Sequence, residues 1–210
     1  MTHTAMIAKI CTAAPVIPVL TIDRVEDAQP LARALVAGGL PALEITLRTA
    51  AALEAIAAVA EVEGAMAGVG TLLTAAQIRD AKAAGATFGV SPGATETLIQ
   101  AARDYDLPLL PGAATATEAM RLLEQGFVFQ KFFPAEAAGG APALGSMAGP
   151  LPQITFCPTG GVTPENAKTY LALPNTRCVG GSWIAPKALI EAGDWDQITQ
   201  IARRAADLLA

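Results

Sequence analysis

The sequence predicts an α/β protein in which strands and helices alternate to the end, closing as a single (β/α)8 TIM barrel with an N-terminal helix. Three observations carry this expectation. Short apolar runs of strand length alternate with longer Ala/Leu-rich runs of helical period along the whole chain. The alternation keeps an even spacing, with no linker-like stretch to separate domains. About eight strand–helix units of roughly 26 residues each fill a chain of this size. Consecutive strands joined through helices imply right-handed crossovers and therefore a parallel sheet. An open doubly wound sheet shares the alternation, but no G-x-G-x-x-G turn follows the first expected strand. One barrel domain over residues 1–210 is the expectation.

In chain order, strands are expected at residues 16–20, 43–46, 67–70, 88–90, 109–111, 128–132, 155–157 and 178–180. Helical stretches are expected between them at 24–37, 50–62, 75–84, 96–105, 117–125 and 165–171, and at 195–209 after the last strand. Thr95-Glu96 and Thr117-Glu118 read as helix starts, because a hydroxyl there accepts from a free first-turn N–H. Gly38, Gly85 and Gly126 read as helix ends. In such a barrel the chemistry belongs at the C-terminal ends of the strands and in the loops that follow.

Composition narrows the function classes. Of 210 residues, 52% are hydrophobic and 16% charged, with a mean hydropathy of +0.42, which excludes a disordered scaffold. The low charged fraction points to surface covered by other copies of the chain. A net charge of −5 and a pI near 4.9, without a basic cluster, argue against nucleic acid or an anionic membrane and for a small-molecule ligand. The longest charge-free stretch, 137–164, carries five prolines and fits no membrane span. The opening MTHTAMIAKICTAAP lacks a basic segment followed by a long apolar one, so no signal peptide is read. Cys11, Cys157 and Cys178, odd in number and far apart, favour reduced, buried thiols in a cytoplasmic protein. With His3 as the sole histidine and no metal-ligand spacing, neither a transition-metal site nor a histidine base is expected.

Three islands of polar residues stand out at expected strand ends. In Leu43-Glu44-Ile45-Thr46-Leu47-Arg48, alternation puts Glu44, Thr46 and Arg48 on one face and the aliphatic residues on the other. The polar set then points into the barrel, although a structural Glu44–Arg48 pair would give the same spacing. Lys131, in Phe127-Val128-Phe129-Gln130-Lys131-Phe132-Phe133-Pro134, is the one lysine of five inside an apolar strand-like run. A lysine there needs a partner or a task. The partner would be Glu44 or Glu136; the task would be that of an amine nucleophile, which must be neutral, as only about one ordinary lysine in 2,500 is at pH 7. Thr159-Gly160-Gly161 and Gly180-Gly181-Ser182 follow the seventh and eighth expected strands, where many barrels present backbone N–H groups to a phosphate. Glycine pairs also occur in any tight turn. Thr71, after the third strand, could donate to a carboxylate or cap a helix. Ser91-Pro92-Gly93 ends the fourth strand, Pro111-Gly112 reads as a turn, and Phe133 and Trp183 as pocket lining or core.

Taken together, "EITLRT", "GVGT", "GVSPG", the Pro-Gly at 111, "FQKFFPAEAAGG", "CPTGGV" and "GGSW" resemble the bacterial 2-keto-3-deoxy-6-phosphogluconate (KDPG) aldolases, also called KHG/KDPG aldolases. The motifs run in order from Val16 to Trp183. "TLRT" resembles the gluconate branch; the galactonate enzymes carry a proline and an asparagine there. The resemblance implies a class I, Schiff-base aldolase of the Entner–Doudoroff pathway that splits KDPG into pyruvate and glyceraldehyde 3-phosphate. It implies that Lys131 forms the imine, Glu44 is the general acid/base, and Arg48 and Thr71 hold the pyruvyl carboxylate. Pro92 and Phe133 would line that pocket, Gly160, Gly161 and Ser182 would bind phosphate, and Thr159 would meet the sugar hydroxyls. It further implies no metal or other cofactor and a homotrimer. Gln130 departs from the family, which often has Glu or Lys there. Two alternatives stay open: preferential cleavage of 4-hydroxy-2-oxoglutarate to pyruvate and glyoxylate, and a phosphosugar-binding barrel without turnover.

Overall fold

A computed structural model describes residues 2–209. Helix α1 (His3–Ala13), capped by the Thr2 hydroxyl, precedes strand β1 (Val16–Leu20). There follow α2 (Ala28–Ala37), β2 (Ala42–Thr46), α3 (Ala52–Ala60), β3 (Met66–Gly70), α4 (Ala75–Ala83), β4 (Phe88–Val90) and α5 (Glu96–Asp104). The chain continues through β5 (Leu109–Leu110), β6 (Gly112–Ala113), α6 (Ala116–Glu124), β7 (Phe129–Phe132), α7 (Gly140–Ser146) and β8 (Thr155–Pro158). It closes with α8 (Pro164–Leu171), β9 (Val179–Gly181), α9 (Lys187–Ala192) and α10 (Trp195–Ala206).

All strand pairs are parallel, in a six-stranded sheet ordered β5-β4-β3-β2-β1-β9 and a three-stranded sheet β6-β7-β8. The ladder is therefore not continuous through eight strands as expected. The fifth expected strand, 109–111, divides at Pro111, which has no N–H to give a neighbour. Its carbonyl still accepts from Lys131 N at 2.8 Å, and β6 resumes the pairing with β7. Among the described residues, β8 and the chain around β9 are linked by two isolated bridges, Phe156 with Thr176 and Thr159 with Gly180.

Strand alternation sorts the apolar residues into two cores. Leu43, Ile45, Val69, Phe132, Phe156 and Val179 face outward and pack under the helices with Leu31, Leu35, Ile56 and Ile198. Ile17, Ala42, Phe88, Val90, Leu110, Cys157 and Cys178 face inward, where Ile7, Ile10 and Cys11 of α1 cover them. Because Ala42 and Phe88 begin their strands, α1 closes the end of the curled sheet opposite the strand C-termini.

Several helices differ from expectation at their ends. The 24–37 segment opens as a 3-10 turn, Val25–Asp27, before α2, and the 195–209 segment ends as one, Asp207–Leu209. The cap of α6 is Thr115, not Thr117, because the reciprocal box needs Glu118 three residues on; its side chain accepts from the Thr115 N–H at 2.9 Å. Gly38 caps α2, and Gly85 and Gly126 follow α4 and α6 with φ of +98° and +90°. Two short helices carry no strong sequence signal: α7 contains two glycines and a proline, and α9 spans only six residues.

Candidate active site

The site is built where the neighbouring ends of β2 and β3 face the end of β7 across the interior of the curl. On β2 the inward positions are Ala42, Glu44 and Thr46, and the first of these belongs to the floor. Glu44 is paired in register with Gly68, and Thr46 with Gly70. A Cβ at Gly70 would lie 2.4 Å from Glu44 Oε1, so this glycine leaves free the space that the carboxylate occupies. On β7, Phe129 packs toward the floor and Lys131 is the next inward residue. Its Nζ donates to Glu44 Oε1 at 3.2 Å, joining residues 87 apart in sequence. Both residues are deeply buried, Lys131 6% and Glu44 3% exposed. The ammonium also lies 5.3 Å from the centre of the Phe133 ring.

A charge in such surroundings is costly unless paired, and here each group supplies the other's partner. The same contact gives a proton route, since a carboxylate at hydrogen-bond distance accepts the proton that an amine must lose before attacking a carbonyl. Of the two acidic partners the sequence allowed, Glu44 meets the lysine. Glu136 instead accepts a hydrogen bond from the Tyr170 hydroxyl. Nor does Glu44 pair with Arg48. β2 ends at Thr46, so the alternation stops there, and Arg48 lies exposed in the following turn with its N–H on the Thr46 carbonyl at 2.8 Å. Thr46 is buried, donating to the Leu20 carbonyl at 2.8 Å with its oxygen 3.3 Å from the Thr21 hydroxyl. Thr21 thus joins the rim, a position that gave no signal in sequence.

Thr71 follows β3 with φ of +63°. A β-branched residue in the left-handed region costs on the order of 1–3 kcal/mol. Helix capping does not explain it, because Thr74 caps α4 in a box with Gln77. Pro92 and Phe133 line one groove of ≈ 580 Å³ together with Gly112 and Ala113. At the other side, Thr159 faces inward: its Oγ1 fills the space a Cβ at Gly180 would need, 2.3 Å away. Gly160 and Gly161 take φ of +98° and +80°, conformations that favour glycine. Gly160 lies against the Phe133 ring, 3.2 Å from where a Cβ would sit. Two bonds tie this turn to the segment after β7: Ala135 N to the Thr159 carbonyl at 2.8 Å and Glu136 N to that of Gly160 at 3.0 Å. Ser182 is exposed and directly follows β9, whose Gly180 bridges to Thr159. Trp183 packs its ring over Gly181, as core packing would have it.

The three cysteines, distant in sequence, converge in the floor beneath α1, and all are free and buried. Hydrogen bonds with Cys11 and then Cys157, followed by burial, hold the Cys178 thiol well above the ordinary thiol range. Their scattered sequence positions gave no sign of this meeting.

A model of the KDPG and KHG aldolase family matches residues 7–201. The chain is 52% identical over 192 residues to the 2-dehydro-3-deoxy-phosphogluconate aldolase of Pseudoalteromonas atlantica, covering 91% of this chain and 89% of that one. Among solved structures it resembles the KDPG aldolase of Zymomonas mobilis ZM4 with 3-phosphoglycerate (TM-score 0.92, 48% identity, 98% and 97% of the two chains). It matches equally well the KDPG aldolase of Legionella pneumophila with pyruvate captured as a covalent carbinolamine (TM-score 0.92, 44% identity, 98% of each chain).

Proposed function

The chain belongs to the KDPG and KHG aldolase family, and from that premise we propose how its residues carry out the reaction. It is a lyase that cleaves KDPG to pyruvate and glyceraldehyde 3-phosphate, the aldol step of the Entner–Doudoroff pathway. The observation that carries the mechanism is the buried contact of Lys131 with Glu44 at the strand ends.

Glu44 takes a proton from the Lys131 ammonium, and neutral Nζ adds to the C2 ketone. Glu44 returns that proton to the departing hydroxyl, so loss of water from the carbinolamine leaves a protonated imine, the electron sink, and Glu44 is again a carboxylate. Glu44, directly or through a water, then removes the C4 hydroxyl proton; the C3–C4 bond breaks, its electrons pass into the imine, and glyceraldehyde 3-phosphate departs. The enamine left on Lys131 takes at C3 the proton that Glu44 or its water now holds, and hydrolysis frees pyruvate and the amine. Arg48 and Thr71 hold the carboxylate, and a bidentate guanidinium fixes the carbonyl toward the lysine. Pro92 and Phe133 wall the pyruvyl group. Thr159 meets the sugar hydroxyls, while Gly160, Gly161 and Ser182 hold the phosphate through backbone N–H groups and a hydroxyl. The positive φ of both glycines supports that cradle.

We read the two parallel sheets as one (β/α)8 barrel domain over residues 1–210, joined through Pro111 and the two bridges beside β9. A cytoplasmic homotrimer accords with the low charge and with exposed Leu73, Met120 and Leu209. Among the described residues no helix is long and apolar enough to cross a membrane. The deciding experiment is incubation with pyruvate, reduction with borohydride and peptide mapping. A stable adduct on Lys131 is expected, and its absence would sink the imine mechanism. 4-Hydroxy-2-oxoglutarate shares the imine half of the chemistry and differs at the distal end. A higher kcat/KM for it than for KDPG would contradict the phosphate role of Gly160, Gly161 and Ser182.

A further inference from the structure

Behind the Gly160–Gly161 turn stands a pair of residues that the reaction as written does not use. Tyr170, on α8, is among the largest fully buried side chains, and its hydroxyl donates to Glu136 Oε1. Glu136 lies in the segment after β7, and its stem forms the wall of the turn: a Cβ at Gly161 would fall 2.6 Å from Glu136 Cγ and 2.7 Å from its Cβ. The backbone of Glu136 also grips the turn, N–H to the Gly160 carbonyl at 3.0 Å. From the other side Asn166 Nδ2 donates to the Gly161 carbonyl at 3.1 Å. Asn166 is itself fixed at the start of α8, where it completes the box with Thr163. Three elements thus meet on two glycine residues: the segment after β7, the turn after β8, and α8.

We infer that Glu136 and Tyr170 are positioning residues for phosphate recognition, bracing the Gly160–Gly161 turn so that its N–H groups keep one geometry. The physical need is specific. Glycines are the residues freest to move, so a cradle made of two of them discriminates poorly unless something outside the turn removes that freedom. A buried phenol donating to a carboxylate is a charge-assisted bond, stronger than a neutral one. It fixes the rotamer of Glu136, and a fixed Glu136 leaves the turn one place to sit. Burial first, and the Glu136 contact second, push the Tyr170 phenol above its ordinary range, so it remains a donor throughout the working pH. The inference rests on the reading of Gly160, Gly161 and Ser182 as the phosphate site. It adds that the effect of the pair is confined to substrates bearing a phosphate.

The test is steady-state kinetics of Tyr170→Phe, Glu136→Ala and Glu136→Gln on KDPG and on 4-hydroxy-2-oxoglutarate, with thermal unfolding of each variant alongside. Tyr170→Phe and Glu136→Ala are expected to raise KM for KDPG about ten-fold, the loss of one hydrogen bond to a charged group. Their kcat, and both constants for the unphosphorylated substrate, should stay within about two-fold, well inside that ten-fold effect. Glu136→Gln, whose amide oxygen still accepts from Tyr170, should recover most of the KM. Equal losses on both substrates, or no loss on either, would overturn the assignment, as would a Glu136→Gln protein as impaired as Glu136→Ala. Wild-type protein supplies the separate check: if it is not competitively inhibited by inorganic phosphate, the phosphate reading itself falls.

Discussion

The two ends of the space inside the curled sheet are built from the same strands and do opposite things. At the strand C-termini, inward positions carry Glu44, Thr46, Lys131 and Thr159, each with a polar partner. Toward the strand starts, the inward positions of the same β2, β7 and β8 carry Ala42, Phe129 and Cys157, sealed beneath α1 by Ile7, Ile10 and Cys11. Two residues along a strand, about 6–7 Å, separate Ala42 from Glu44 and Phe129 from Lys131. A closed apolar floor gives the Lys131–Glu44 pair a dry side, where water does not compete for its bond. Packing defines the floor and directed contacts define the mouth, so the two ends should respond differently to substitution.

The largest expected contrast is at Lys131. Lys131→Ala should lower kcat by about 10⁴-fold or more, because it removes the proposed nucleophile. It should also destabilise the fold by about 3–5 kcal/mol by leaving Glu44 buried without its partner. Substantial residual turnover in a folded variant would make the lysine structural. Glu44→Gln follows: its amide oxygen still accepts from Lys131 but takes no proton, and kcat should fall about 10²–10⁴-fold with a smaller change in Tm. Gly70→Ala tests the same carboxylate without touching it. The new Cβ meets Glu44 Oε1, so kcat should drop on the order of 10²-fold through misplacement, at a cost of about 1–3 kcal/mol in stability. Retained kcat would show that Glu44 tolerates displacement. Smallest in activity are the floor thiols. Cys178→Ser should leave kcat unchanged while lowering stability by about 1–3 kcal/mol through a poorly partnered buried hydroxyl. Because folding raises the Cys178 pKa, the thiol's contribution to stability is complete below about pH 8.5 and declines as pH rises toward its folded value. Iodoacetamide at pH 8 should leave Cys178 unmodified in the folded protein, as mass spectrometry would show. Rapid labelling would mean that α1 opens readily.

Much of the mouth was legible because its residues violate local expectation. Lys131 interrupts an aromatic strand, and Glu44 and Thr46 interrupt an aliphatic one. A polar residue in an apolar run is visible one residue at a time. That Cys11, Cys157 and Cys178 are buried was legible, but not that they share one floor, since each looks like an ordinary small apolar residue in its own segment. Arg48 was legible only in part: strand alternation groups it with Glu44, while β2 ends two residues earlier and Arg48 stands exposed in the following turn. In sequence Thr71 reads as a donor to a carboxylate or a helix cap, and its φ of +63° and the box at Thr74 set it apart from the second role.

By itself the sequence determined the class of the fold, the parallel direction of its strands, and the one lysine set in an apolar strand-like run. These follow from periodicity and from residue types within single segments, which local physics imposes on the chain before any distant contact forms. Tertiary structure alone decided which acid meets Lys131, that Gly70 must be bare for Glu44 to stand there, and that Glu136 belongs to Tyr170. Each of those is a contact between segments tens of residues apart. Such contacts depend on strand register and on how tightly the sheet curls, and a displacement of one residue would turn Glu44 from the interior to the helix layer.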